Sequence, residues 1–132
     1  MYKIKYEDET FAVWLEPEGK KLSLWKEKDP IFVCGRLMEP GFLSSIIGRE
    51  AGMAPAVALD CGRAWEDYQG KPYIFLKKKK GGFVPGMVLL GLTSRERTRL
   101  NRFEEIDTVR KVEKVTLRIG ERKIEGISFF KR

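Results

Sequence analysis

The 132-residue chain contains no histidine. That absence removes Ser-His and Cys-His catalytic pairs and every histidine-bearing metal site. Cysteine is scarce as well. Cys34 and Cys61 are the only two, too few for a thiolate zinc site. In a reducing compartment they read as two buried free thiols rather than a disulfide. No stretch approaches the roughly 18 apolar residues that span a bilayer, so no membrane partner is expected. The opening Met1-Tyr2-Lys3-Ile4-Lys5-Tyr6 lacks the apolar core of a secretory signal, and a cytoplasmic location is the expectation. There is no internal repeat and no disordered linker. Any catalysis must therefore rest on carboxylates, lysine, tyrosine, serine or backbone amides.

What is present fits one ordinary domain, and 42% hydrophobic residues suffice for a sizeable core. Lysine and arginine total 26 against 19 acids, a net charge of +7. Such an excess is compatible with an anionic partner. A solvated, charge-rich surface is the preferred reading. The 34% of charged residues, dense in Lys and Glu, also fits a heat-stable source.

Residues 1–30 read as β-structure. Tyr2, Ile4 and Tyr6 alternate with lysines, Phe11, Val13 and Leu15 repeat the period, and Leu22 and Leu24 suggest a third strand. Ile31-Phe32-Val33-Cys34 is wholly apolar, as a strand covered on both faces would be. Pro40 suits the first position of a helix carrying Phe42, Leu43, Ile46 and Ile47, and Gly48 suits its end. Ala56 to Leu59 reads as a strand and residues 61–72 as a loop, on the evidence of Gly62, Gly70 and Pro72. Tyr73 to Leu76 and Phe83 to Leu90 then pair as a hairpin around Lys77–Lys80 and Gly81-Gly82. Pro85 and Gly86 mark an edge, bulge or bend. Thr93-Ser94-Arg95-Glu96 is a capping box that opens a second helix. Strands around Val112 to Ile119 and Ile124 to Phe130 complete a mixed α+β domain rich in strands.

Three places carry candidate chemistry. Gly35-Arg36-Leu37 follows a buried strand directly, where backbone amides can approach an anion closely; a tight turn with no ligand is the plainer reading. Glu104 lies about 40° from Leu100 and about 100° from Phe103 around the helix, on the edge of the apolar stripe. Partial desolvation there would raise its pKa towards the range useful to a general base. A solvated or arginine-paired glutamate is the commoner outcome. Lys77–Lys80 could contact phosphates, but a solvated hairpin tip is preferred. Trp14, Trp25 and Trp65 could stack on bases but are expected to pack the core or a cavity rim, and no nucleic-acid motif accompanies them.

Together these segments resemble the γ-glutamylcyclotransferase-like family. Its strand-turn motif stands here as Phe32-Val33-Cys34-Gly35-Arg36-Leu37, its central-strand motif as Val84-Pro85-Gly86-Met87-Val88, and its helical motif as Leu100-Asn101-Arg102-Phe103-Glu104. The resemblance covers residues 31 to about 130 and leaves 1–30 as an N-terminal β extension packed on the same domain. It implies a small mixed, barrel-like sheet with about two flanking helices and a cavity at one end. It implies cofactor-free and metal-free release of 5-oxoproline from a γ-glutamyl amine or peptide, with Glu104 as general acid/base. Cys34, Gly35, Arg36 and Leu37 would then bind the substrate. The sequence departs from the family pattern at Cys34, where tyrosine is usual, at Arg36, where a small hydroxyl residue is usual, and at Asn101, where aspartate is usual. These departures motivate a second reading, a non-catalytic binding or scaffold relative. Nucleic acid is the least favoured partner.

Overall fold

The structure, a computed structural model, describes residues 3–8, 11–15, 21–23, 28–68, 70–103 and 110–131. Strands β1 (Lys3–Asp8), β2 (Phe11–Leu15) and β3 (Lys21–Ser23) form an antiparallel sheet of their own. The remaining strands are β4 (Ile31–Val33), β5 (Gly52–Tyr68), β6 (Lys71–Leu90), β7 (Arg110–Ile119) and β8 (Arg122–Lys131). They close into a barrel in the order β4-β6-β5-β7-β8, with β6 also pairing with β8. Helices α1 (Pro40–Ile47) and α2 (Ser94–Arg102) complete the α+β, barrel-like architecture that the sequence leads one to expect. Neither helix is long and apolar enough to cross a membrane.

The apolar run at β4 is explained by its two faces. Phe32 points into the barrel, while Ile31 and Val33 point into a second cluster with Leu43 of α1 and Leu100 of α2. All three strand residues are buried, so neither face needs polar residues. Along β5 the inward positions are Ala54, Ala56 and Ala58, small enough to leave room for Phe32, Leu117 and Phe130 in a filled interior.

The helices follow their end signals. Pro40 occupies the first turn of α1, and Gly48 ends it in the left-handed region (φ 91°), its N–H donating to the Ser44 carbonyl at 2.8 Å. At α2 the Glu96 amide donates to Thr93 Oγ1 (3.1 Å) and the Thr93 amide to Glu96 Oε1 (2.8 Å), the reciprocal capping box. Arg49 then ties the helices together. Its Nε donates to Glu96 Oε2 at 2.6 Å and its Nη2 to Glu96 Oε1 at 3.0 Å. Nη2 also donates to the Gly91 carbonyl at 2.9 Å.

The reading of residues 61–83 needs correction. Residues 61–68 are strand, not loop, and Lys77–Lys80 with Gly81-Gly82 lie inside β6, not at a hairpin tip. One ribbon runs from Gly52 to Leu90, and β5 pairs with β6 from Gly52↔Leu90 to Tyr68↔Lys71. The tip therefore lies between Tyr68 and Lys71, where Gly70 has φ +76°. Gly62 and Pro72 were misleading because pairing is decided by distant partners: Tyr73, Phe75 and Leu76 are buried, and that burial outweighs local turn preference.

The ribbon also reverses direction. β6 is antiparallel to β4 at residues 87–89 but parallel to β8 at Leu76↔Phe130, while β4 and β8 are parallel to each other. The two halves of β6 must therefore run in opposite senses. The reversal falls where Leu59 pairs with Phe83 and Cys61 with Lys78, leaving Lys79–Gly82 opposite Asp60 alone. Asp60 and Gly81 both adopt positive φ (55° and 79°), and the Gly81 amide donates to Asp60 Oδ1 at 2.9 Å. A Cβ at Gly82 would stand 2.4 Å from the Cys61 carbonyl oxygen.

Two predictions follow from these contacts. Gly82→Ala should lower stability in chemical denaturation by about 2 kcal/mol or more, because the obstructing atom is backbone. Gly81→Ala, with open space around its Cβ, should cost about 1 kcal/mol through backbone conformation alone. At Glu96, burial is the largest single influence and opposes ionisation. The Arg49 hydrogen bond, the Thr93 amide, the Arg49 charge and the Thr93 side chain together outweigh it, so the carboxyl is held below its ordinary value. A depressed folded value means that stability is fully present above the unfolded carboxylate range and is lost as pH falls through the folded value. Glu96→Gln should therefore cost about 2 kcal/mol near neutral pH. The gap to the parent protein, followed by thermal melting, should narrow in acid.

Candidate functional site

The strand-turn segment emerges from β4 as a 3₁₀ turn, Gly35–Met38. Gly35 has φ +67°, a conformation that side chains rarely adopt, and the Cys34 side chain makes no cap to the turn. Cys34 and Leu37 are buried on either side of it. Gly35 is also required by contact: a Cβ there would stand 2.8 Å from the Cβ of Ile74, on the returning half of β6. Phe32, Cys34, Leu37, Ile74 and Ser128 are among the residues around the remaining space, which is about 10 Å³. That is roughly the room one water needs. Ser128 is satisfied within the fold, its hydroxyl donating to the Phe32 carbonyl at 2.7 Å.

Arg36 turns the other way. Its guanidinium lies over the Phe42 ring, 4.3 Å from the centroid, a cation–π contact. Phe42 in turn packs edge-on against Phe103 (5.8 Å) and tilted against Tyr73 (6.3 Å), and Tyr73 and Phe103 are 6.1 Å apart. A three-ring cluster with the Arg36 cation on one face thus joins the strand-turn segment to the C-terminal end of α2. Arg99 supports that approach, its Nη1 donating to the Ile47 carbonyl at 3.3 Å. The central-strand segment is brought in too, since a Cβ at Gly86 would meet the Val33 carbonyl oxygen at 2.4 Å and the Phe32 ring at 2.5 Å.

Glu104, the residue that follows Phe103, lies outside the described residues. Asn101, three positions earlier, has a buried Oδ1 without a hydrogen-bond partner among the described residues. A charged carboxylate would cost more at that position than the neutral amide does. Cys61 belongs to a different region, the ribbon reversal. Burial, as the largest influence, and the Asp60 charge push its thiol up against an opposing Lys78 charge. Burial at Cys61 thus disfavours the thiolate, the nucleophilic form.

Tyr73 is the component that sequence reasoning missed. It is 1% exposed and sits in the ring cluster that Phe103 joins. Within Tyr73-Ile74-Phe75-Leu76 it read as one more apolar strand residue. The only signal was its hydroxyl, which a buried tyrosine must place against a partner.

No family model matches the sequence, and no curated protein matches it. Solved structures do match. A solution structure of an Arabidopsis thaliana protein is 24% identical with a TM-score of 0.64, over 77% of this chain and 61% of that one. A γ-glutamyl cyclotransferase is 16% identical with a TM-score of 0.66, over 80% of this chain and 68% of that one. An uncharacterized human protein is 16% identical with a TM-score of 0.65, over the same shares. This chain thus spans about three fifths of the Arabidopsis protein's length and about two thirds of the others'. At these identities the likeness is one of fold, and at that level the resemblance to γ-glutamylcyclotransferases is borne out.

The packing at Gly35 generates a coupling prediction. Gly35→Ala should destabilise the chain by about 2 kcal/mol, through positive φ and the clash with Ile74. Gly35→Ala combined with Ile74→Ala should cost less than the sum of the two single changes, by at least about 0.5 kcal/mol in a denaturation cycle. Strict additivity would place Ile74 away from the turn.

Proposed function

We propose that this chain releases 5-oxoproline from a γ-glutamyl amine or peptide. The observation that carries the reading is the convergence of the Cys34–Leu37 turn and the Phe103 end of α2 on Phe42, within a fold shared with a γ-glutamyl cyclotransferase. The substrate's α-amine attacks its own γ-carbonyl. A C–N bond forms to close the five-membered ring, and the bond to the departing amine breaks. Glu104 takes the proton that the α-ammonium must lose and returns it to the leaving amine. The amides of Gly35, Arg36 and Leu37 receive the anionic oxygens, and Arg36, steadied by Phe42, supplies a cation for a substrate carboxylate. Ring closure within one bound molecule benefits from high effective molarity, so a single carboxylate in a shaped site can suffice. The chemistry calls for no cofactor, and a cytoplasmic γ-glutamyl compound is its natural substrate class.

A second reading, a non-catalytic relative that binds or scaffolds, is favoured by one observation. Ile74 packs on Gly35, and the pocket it lines there among the described residues holds about 10 Å³. On the catalytic reading substrate reaches the turn from its Arg36 side.

Purified protein should release 5-oxoproline from at least one member of a panel of γ-glutamyl amines and peptides. Glu104→Gln should reduce turnover by roughly 10²- to 10⁴-fold while leaving the melting temperature unchanged. Retained activity in that variant would remove Glu104 from the mechanism. Absence of product from every substrate at high enzyme concentration would favour the non-catalytic reading.

A further inference from the structure

The ribbon reversal builds a second feature, remote in sequence from the Gly35 turn. An open groove of about 730 Å³ lies where the two halves of the ribbon diverge. Among the described residues its cations are Arg63, Lys79 and Lys80 and no carboxylate lines it, and the side-chain-free Gly81 and Gly82 form part of its lining. Asp60 is adjacent, but its Oδ1 accepts the Gly81 amide. Glu113 lies beyond, within ion-pair distance of Lys78 and Lys111. Glu66 and Asp67 follow further along the ribbon.

The groove also carries an apolar surface that packing does not explain. Phe83 forms part of its wall and is 67% exposed. Trp65 is exposed to the same 67%, and it shares a face of β5 with Arg63, two positions away. These are the exposed large hydrophobic side chains among the described residues, and both lie on the ribbon that bears the lysine run. A solvated hairpin tip would account for the lysines alone. It does not account for bare aromatic rings beside them, and the lysines are not at a tip.

We propose that this groove binds single-stranded nucleic acid, with phosphates on Arg63, Lys79 and Lys80 and a base stacked on Phe83. Three cations outweigh the one adjacent carboxylate, Asp60, and can neutralise successive phosphates, and an exposed ring accepts any base on its π-face. Trp65 extends the stacking surface along the strand. An extended ligand matches cations and rings strung along a ribbon better than a compact anion does. Duplex DNA keeps its bases stacked internally and offers nothing to Phe83.

The test is fluorescence anisotropy of the full chain with a labelled oligothymidine of about 15 nucleotides. Three phosphate contacts on a single strand predict a log–log salt slope near −2, so affinity should fall about 20-fold between roughly 50 and 200 mM salt. Phe83→Ala, an exposed position where folding should be retained, should weaken binding roughly tenfold without changing that slope. Lys79→Gln with Lys80→Gln should make the slope shallower by about 1.4. Absence of saturable binding at low salt would overturn the proposal. So would affinity indifferent to Phe83→Ala, which would mark general attraction to a basic protein, or equal or tighter binding of a duplex of matched length.

Discussion

The reversal of the β5–β6 ribbon is the constraint on which the rest of the structure depends. Four things must coincide there: positive φ at Asp60 and Gly81, the hydrogen bond between them, and no side chain at Gly82. With the reversal in place, Leu76 reaches Phe130 and helps close the barrel. Ile74 comes down on Gly35, and Tyr73 enters the ring cluster with Phe42 and Phe103. On the outer side the same bend opens the cationic groove around Lys79 and Phe83. A straight ribbon would leave the barrel short of a strand segment and the Gly35 turn uncovered.

A second constraint sets the angle at which α2 arrives. Glu96 caps its own helix and receives Arg49 from the end of α1, so the start of α2 is fixed by charge-assisted hydrogen bonds. Its far end is fixed by packing, with Leu100 wholly buried and Phe103 edge-on to Phe42. Polar contacts at one end and aromatic contacts at the other thus bring the helical motif to the strand-turn motif. Arg36 lies over Phe42 at that meeting point, a half-buried cation against the ring cluster.

Much of this was legible because it is local. Thr93 to Glu96 announced a capping box, Pro40 and Gly48 the ends of α1, and Ile31–Cys34 a strand covered on both faces. The order of the three motifs was enough to suggest the fold. The ribbon was not legible, because Gly62, Gly70 and Pro72 are local turn signals while the pairing of Arg63 with Leu76 and Trp65 with Ile74 is decided by what those partners bury. Lysines 77–80 looked like a tip for the same reason. Of the candidate site, the turn after the buried strand was legible from Gly35, but the neighbour that demands a glycine there, Ile74, is 39 positions away and could not be inferred. Tyr73 was hidden among apolar neighbours. Glu104 was singled out by helical geometry and motif position, and it lies outside the described residues.

On the proposed function, the Gly35 turn and Glu104 are two walls of one binding site for a γ-glutamyl compound. Backbone amide NMR during titration with 5-oxoproline, the product, tests that most directly. Saturable shifts concentrated at Gly35, Arg36, Leu37 and Glu104, and absent from the Lys79–Phe83 groove, are the predicted result. No saturable shift at those amides, or shifts confined to other parts of the barrel, would contradict it.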